Sequence, residues 1–198
     1  MRRNPMLCRI QSQARMPGRW RSELAAVLVT RAQLEQRVRE LSEMIQRDFA
    51  DRELVVVALL TGTIVFLADL IRRLTLPLRL DFIGVSSYGN RTVPGQLNFT
   101  NELRLDVCGR DVLVVDDILD TGQTLSRVLA RLRLLEPRTI KVCVLLEKQA
   151  RRTEKIQADY VGFSVPDLFV VGYGLDFAER YRNLPFIGVL KREVYQAS

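Results

Sequence analysis

The stretch Val112-Leu-Val-Val-Asp-Asp-Ile-Leu-Asp-Thr-Gly-Gln-Thr124 decides how the chain is read. Four apolar residues end in two adjacent carboxylates, and Asp120-Thr121-Gly122-Gln123-Thr124 then leads into helical pattern. An apolar run of this kind reads as a strand buried on both faces, as in a parallel sheet covered by helices. In open parallel sheets ligands bind beyond the carboxyl ends of the strands. A turn with a glycine and two hydroxyls opening a helix offers free backbone N–H groups and the positive dipole end to a phosphate. Asp116 and Asp117 supply the opposite preference, for Mg2+ or for sugar hydroxyls, because magnesium favours one or two carboxylates plus substrate oxygens. A phosphate subsite beside one for metal and polyol describes a sugar phosphate. The alternative, in which the carboxylates merely cap a surface turn, carries a cost: like charges at a strand end repel unless a cation or donors answer them.

Outward from this segment the pattern alternates. Thr30 and Gln33 have the spacing of a capping box. Leu34, Val38, Leu41, Ile45 and Phe49 follow as one apolar helical face, broken at 51–53. Leu54–Leu60 is a continuous apolar run, 64–74 reads as a helix stopped by Pro77, and Leu78–Ser86 as a strand. The polar residues 88–100 read as a loop, and 103–107 alternates like a half-exposed strand. Beyond the deciding segment lie a helix over 124–135, a strand over 140–146, and short strand-like runs near 160–165, 169–171 and 186–190. Strands alternating with helices at this spacing predict an α/β fold with a doubly wound, mostly parallel sheet flanked by helices. No repeat or linker is visible, so residues 22–198 are expected to form one domain.

Composition narrows the chemistry. The 198 residues are 47% apolar and 27% charged, which excludes wholesale disorder. There is no histidine, so His general bases, Ser-His triads and His-containing zinc sites are excluded. Cys8, Cys108 and Cys143 lie far apart, which excludes a disulfide framework and a cysteine zinc cage. Catalytic proton transfer therefore falls to Asp, Glu, Lys or Tyr. The net charge is +7, but residues 1–21 carry six arginines and no acid, leaving +1 for the body. That basic stretch is expected to be a disordered leader, with an address or a phosphate-attracting arm as the other reading; it lacks the apolar core of a secretory signal. No stretch approaches the ~18 apolar residues of a membrane span. The reading is a soluble protein of the cytoplasm, with nucleic acid and membrane not among its expected partners.

The deciding segment resembles the phosphoribosyl-pyrophosphate (PRPP) signature of type I phosphoribosyltransferases. Leu60-Thr-Gly-Thr-Ile-Val-Phe-Leu-Ala-Asp-Leu70 is similar to the first-strand pyrophosphate loop of the hypoxanthine-guanine branch, and Ser86-Ser-Tyr-Gly89 to the start of its mobile loop. Leu145-Leu-Glu-Lys148, Val165-Pro-Asp-Leu-Phe-Val-Val-Gly-Tyr-Gly-Leu-Asp176 and Arg180-Tyr-Arg-Asn-Leu184 resemble its purine-binding segments, in order. The resemblance spans about residues 30–190 and implies that fold, with a small hood formed from the chain ends.

It also implies roles. Asp116 and Asp117 would hold the ribose hydroxyls and magnesium-loaded PRPP. Asp120 would accept the purine N7 proton, and the backbone of Asp120, Thr121, Gly122, Gln123 and Thr124 would cradle the 5′-phosphate. Thr61, Gly62 and Arg182 would meet pyrophosphate. Lys148 would donate to the six-position oxygen, Phe169 would stack on the base, and Val170 would offer main-chain groups to its edge. Asp176 would ligate a second Mg2+, directly or through water, beside the metal-facing Asp116 and Asp117, and Ser87 and Tyr88 would close over the reacting centre. The implied substrates are PRPP and a 6-oxopurine, the products IMP or GMP and pyrophosphate, and the implied assembly a homodimer or homotetramer.

Two departures stand out: Thr61 occupies a place where the family commonly has Lys, and Asp116 one where it often has Glu. Lys is scarce in this chain, four residues against 26 Arg, which marks Lys148 as a chosen ammonium. Two rivals compete. The Val114-Val115-Asp116-Asp117 run also resembles the acidic strand end of receiver domains, but there it lies near the start of the domain. A PRPP-sensing regulator using the basic tail on nucleic acid would have no use for a base aimed at purine N7.

Overall fold

The computed structural model describes residues 18–86 and 103–196, with the backbone at 6–7 and 98–99. In chain order its elements are β1 (Met6–Leu7), β2 (Leu24–Val29), α1 (Arg31–Asp48), β3 (Leu54–Leu60), α2 (Ile64–Ile71), β4 (Leu78–Ser86) and β5 (Asn98–Phe99). They continue as β6 (Asp111–Leu119), α3 (Gln123–Arg133), β7 (Thr139–Glu147), β8 (Tyr160–Ser164), β9 (Val170–Val171), β10 (Ile187–Leu190) and α4 (Arg192–Gln196).

The apolar run of β3 behaves as a strand covered twice. Leu54, Val56 and Ala58 pack in one core with Leu34, Val38, Leu41 and Ile45 of α1 and Phe66 and Leu70 of α2. Val55, Val57 and Leu59 face the other way, into a core closed by Leu125, Val128 and Leu132 of α3. Strand alternation sends successive side chains to opposite faces, so helices on both sides are what bury the run. The capping box forms as read: Gln33 N–H donates to Thr30 Oγ1 at 3.3 Å and Thr30 N–H donates to Gln33 Oε1 at 2.9 Å.

The main sheet runs β1-β8-β7-β6-β3-β4-β5. Its pairs from β1 through β4 are parallel, and only β5 joins antiparallel. A separate antiparallel sheet, β2-β10-β9, forms the hood over its own core of Leu24, Val27, Val171, Tyr181, Leu184 and Phe186. From β3 the chain crosses to β4 and from β6 to β7, in opposite directions along the sheet. The β3–β6 boundary is therefore the topological switch point, where open α/β sheets place their ligands. Pairing there stops at Ala58↔Val115, although β3 continues to Leu60 and β6 to Leu119. The two carboxyl ends splay and leave a crevice.

The structure corrects several expectations. Residues 103–107 are not a strand: Asp81 reaches out of β4 and accepts the N–H groups of Arg104 and Leu105 at 2.6 and 2.9 Å, so a side chain stands where a strand partner would. Strand β6 runs past the acidic pair to Leu119, paired with β7 as far as Glu147, so Asp116 and Asp117 lie within the strand. Strand β2 and helix α4 were not anticipated; the Ala-rich β2 finds its partner only in the distant β10. Within residues 1–21, two described pieces make contacts. Met6–Leu7 extends the sheet beside β8, and Trp20 tilts against Tyr181 of the hood at 5.7 Å. No helix among the described residues is long and apolar enough to cross a membrane.

Candidate active site

The crevice opens into a cavity of about 990 Å³. One wall is the turn after β3. Gly62 lies against the acidic pair so closely that a Cβ there would stand 1.7 Å from Asp117 Oδ2. Gly174, at φ +102°, in turn rests on Gly62: its Cβ would stand 2.1 Å from the Gly62 carbonyl. Between them, Tyr173 donates its hydroxyl to Asp69 Oδ2 of α2 at 2.6 Å. Thr61 lines the same wall and follows a cis peptide at Leu60–Thr61.

The floor is the acidic pair. Asp117 N–H donates to Asp116 Oδ1 at 2.9 Å, and Ile118 N–H to Asp117 Oδ1 at 2.7 Å. Burial raises the carboxyl of Asp116 well above its ordinary value, and the neighbouring Asp117 charge adds to this. Burial also raises Asp117, against the Ile118 N–H and the Arg182 charge, which lower it. The buried Thr63 hydroxyl, beside Asp116, makes no hydrogen bond of ordinary geometry. A buried and a half-buried carboxylate beside an unsatisfied hydroxyl suit a cation and hydroxyl ligands from outside the chain.

Asp120, Thr121, Gly122 and Thr124 form the next wall. Gly122 adopts φ +89°, a left-handed conformation that suits glycine, and α3 starts at the next residue. Asp120 Oδ1 is buried without a hydrogen-bond partner, while Oδ2 faces Arg151 Nη1 at 3.4 Å. Gln123 is exposed and does not line the cavity.

Opposite stands an apolar and cationic wall. Lys148, 6% exposed, holds its ammonium 3.6 Å from Asp167. Phe169 stacks on Tyr195 of α4 at 4.8 Å and 19°, and meets Phe177 edge-on at 5.5 Å. Phe169 and Phe177 line the cavity, whereas Tyr195 backs Phe169 from outside it. Val170 lies beside it in β9, opposite Val189. Asp176 is engaged twice: by Arg182 at 3.0 Å and by the Glu179 N–H at 3.0 Å. Arg182 also donates to the Gly174 carbonyl at 2.9 Å.

The expected residues thus gather around one cavity, apart from Gln123, and Ser87 and Tyr88, which lie outside the described residues. No three acidic or cysteine side chains among the described residues converge as a metal site. Asp176 lines the cavity with its carboxylate paired to Arg182. Sequence reading missed Arg151, Arg152, Phe177 and Tyr195. Among 26 arginines the first two carry no distinguishing signal, and Tyr195 is placed only by the hood.

A cavity at the switch point, with an acidic pair, a glycine turn opening a helix and a flat aromatic wall, defines a nucleotide-forming or nucleotide-binding α/β protein. Residues 28–178 match the phosphoribosyl transferase domain family, and the chain belongs to it. A hypoxanthine-guanine phosphoribosyltransferase of Bacillus subtilis is 44% identical over 176 residues, 88% of this chain and 98% of the relative. A hypoxanthine phosphoribosyltransferase of Salmonella typhimurium is 42% identical over 165 residues, 82% and 93% of the two chains. The crystal structure of a hypoxanthine phosphoribosyltransferase from Staphylococcus aureus superposes with a TM-score of 0.85 at 40% identity, covering 91% of this chain and 98% of that one. The bifunctional protein TilS/HprT of Listeria monocytogenes is 45% identical over 175 residues, and this chain spans 27% of its length. Within the family the chain falls among the hypoxanthine-guanine phosphoribosyltransferases.

Proposed function

We propose that the chain transfers the 5-phosphoribosyl group of PRPP to N9 of hypoxanthine, and of guanine, releasing pyrophosphate and IMP or GMP in purine salvage. The observation that carries this reading is the buried, unpartnered Asp120 Oδ1 in the same cavity as the buried Lys148 ammonium. One is an acceptor without a donor and the other a donor with a single distant carboxylate, as a 6-oxopurine with a proton on N7 requires.

In the transfer the bond from C1 of the ribose to pyrophosphate breaks and a bond to N9 forms, through an oxocarbenium-like centre. Stacking on Phe169 and donation from Lys148 to the six-position oxygen hold N9 against C1, which supplies the proximity term. Asp120 accepts the N7 proton, as general bases do at a gain of ~10²–10⁴-fold. The amides of the Thr121–Gly122 turn hold the 5′-phosphate, and Arg182 meets the charge growing on the leaving pyrophosphate. Asp116 and Asp117 fit Mg2+: both are pushed towards protonation by burial, a penalty that a cation shared with substrate oxygens removes. When bound, Mg2+ supplies charge neutralisation on the pyrophosphate. The family resemblance supports a homodimer or homotetramer working in the cytoplasm.

The test is kcat/KM for hypoxanthine, guanine and adenine at saturating PRPP and Mg2+. Lys148 has three donors and no acceptor, so it faces an adenine amino group donor to donor. Adenine is expected to lag by ~10²-fold or more, up to ~10⁴-fold. The Lys148→Met variant should lose activity on the oxopurines and narrow that gap while the KM for PRPP holds. Adenine turned over as well as hypoxanthine by the unmutated protein would overturn the reading.

A further inference from the structure

The phosphate loop is held open from behind. Arg152, with a side chain only 17% exposed, donates Nε to the Asp120 carbonyl at 3.1 Å and Nη2 to the Leu119 carbonyl at 3.4 Å. The same Nη2 pairs with Glu147 Oε1 at 3.1 Å, and Nη1 donates to the Ile156 carbonyl at 2.6 Å. The next two residues continue the brace: Thr153 N–H and Glu154 N–H both donate to the Thr121 carbonyl, at 3.0 and 3.1 Å. Three consecutive carbonyls, 119 to 121, are thus drawn to one segment. Arg152, Thr153 and Glu154 do not line the cavity, whereas Asp120, Thr121 and Gly122 do.

A trans peptide points the N–H of each residue opposite the carbonyl before it. Fixing the Asp120 and Thr121 carbonyls away from the cavity therefore turns the Thr121 and Gly122 N–H groups into it. Those two amides donate to nothing among the described residues, as an anion-receiving nest requires. The brace also packs directly beneath the turn, since a Cβ on Gly122 would meet Glu154 Cβ at 3.1 Å and Arg152 Cδ at 3.4 Å. Only a planar fork reaches two successive carbonyls, a third across the segment and a carboxylate at once, which lysine cannot do.

We infer that Arg152, anchored by Glu147, is the positioning residue that shapes the 5′-phosphate nest. The inference rests on the proposed function and deepens it. It touches no substrate, so its removal should act on PRPP rather than on the base. In Arg152→Gln, the KM for PRPP should rise about tenfold or more, the scale of one lost charge-assisted hydrogen bond. The KM for hypoxanthine at saturating PRPP should stay within about threefold. Arg152→Lys, which keeps the charge but not the fork, should lie between wild type and Arg152→Gln. Glu147→Gln should shift the PRPP KM in the same direction by less, and serves as the readout if Arg152→Gln does not fold. A role confined to folding would lower kcat through the active fraction and leave both KM values unchanged. Unchanged PRPP KM in the folded variants, or equal rises for both substrates, overturns the inference. A wild-type protein that makes no nucleotide from PRPP overturns the proposed function itself, and the inference with it.

Discussion

Substituting Gly62 by alanine tests the acidic floor through pure geometry. The new Cβ would stand 1.7 Å from Asp117 Oδ2, and something must move until the contact exceeds 3.0 Å. The turn itself is poorly placed to yield, because Gly174 rests on the Gly62 carbonyl from the other side. The Asp117 carboxylate therefore swings away, breaking its bond from Ile118 N–H and leaving the place proposed for the ribose and its metal. Hydrogen bonds to a charged group are worth about 1.5–3 kcal/mol, which corresponds to about 10- to 150-fold in kcat/KM for PRPP. The KM for hypoxanthine at saturating PRPP should move little, since the base wall is untouched. Gly18→Ala, where a Cβ meets nothing within 4 Å, is the control. Steady-state kinetics and a melting curve on both variants decide the matter. A folded Gly62→Ala protein whose kcat/KM for PRPP matches the control refutes the placement of Asp117 against the substrate.

Two further expectations follow from the geometry. Asp120→Asn keeps shape and removes the acceptor for the N7 proton, so turnover should fall by ~10²-fold or more while PRPP binding changes only a few-fold; near wild-type turnover would remove Asp120 from the role. Asp111, fully buried at the start of β6, is held below the ordinary carboxylate value mainly by its bond from Arg138. A carboxyl lowered in the folded state stabilises above its unfolded value, near 3.8, and that contribution is lost as pH falls through the folded value. Arg138→Met should therefore lower the melting temperature at pH 7 by more than it does in acid, once pH has fallen through the folded value of Asp111; an equal drop in both conditions counts against the ion pair.

What could be read from the sequence was whatever local pattern dictates. The unbroken run of β3, the capping box at Thr30 and the helix that opens after Gly122 each rest on neighbours in the chain, and each stands as read. Residues 103–107 misled because alternation is equally satisfied by a segment whose amides are taken by Asp81. The extent of β6 was underestimated because carboxylates depress strand propensity, a preference that pairing with β7 overrides. The brace from Arg152 to the phosphate loop spans 32 residues of chain, and the stacking of Tyr195 on Phe169 requires the hood to have formed. Neither leaves a trace in spacing or composition.

The contact of Gly174 with Gly62 has a consequence for how such an enzyme can diverge. The segment proposed to recognise the base and the turn proposed to grip the leaving group are seated on one another, backbone to backbone, and Tyr173 ties the first of them to Asp69 of α2. A lengthened or shifted loop at 172–174 presses on the turn at 60–63, so a change in one is felt by the other. Freedom to change base preference is left to side chains that lean on the pocket from outside this joint. Tyr195, carried on a five-residue helix near the chain end and backing Phe169, is where drift in specificity meets the least mechanical resistance.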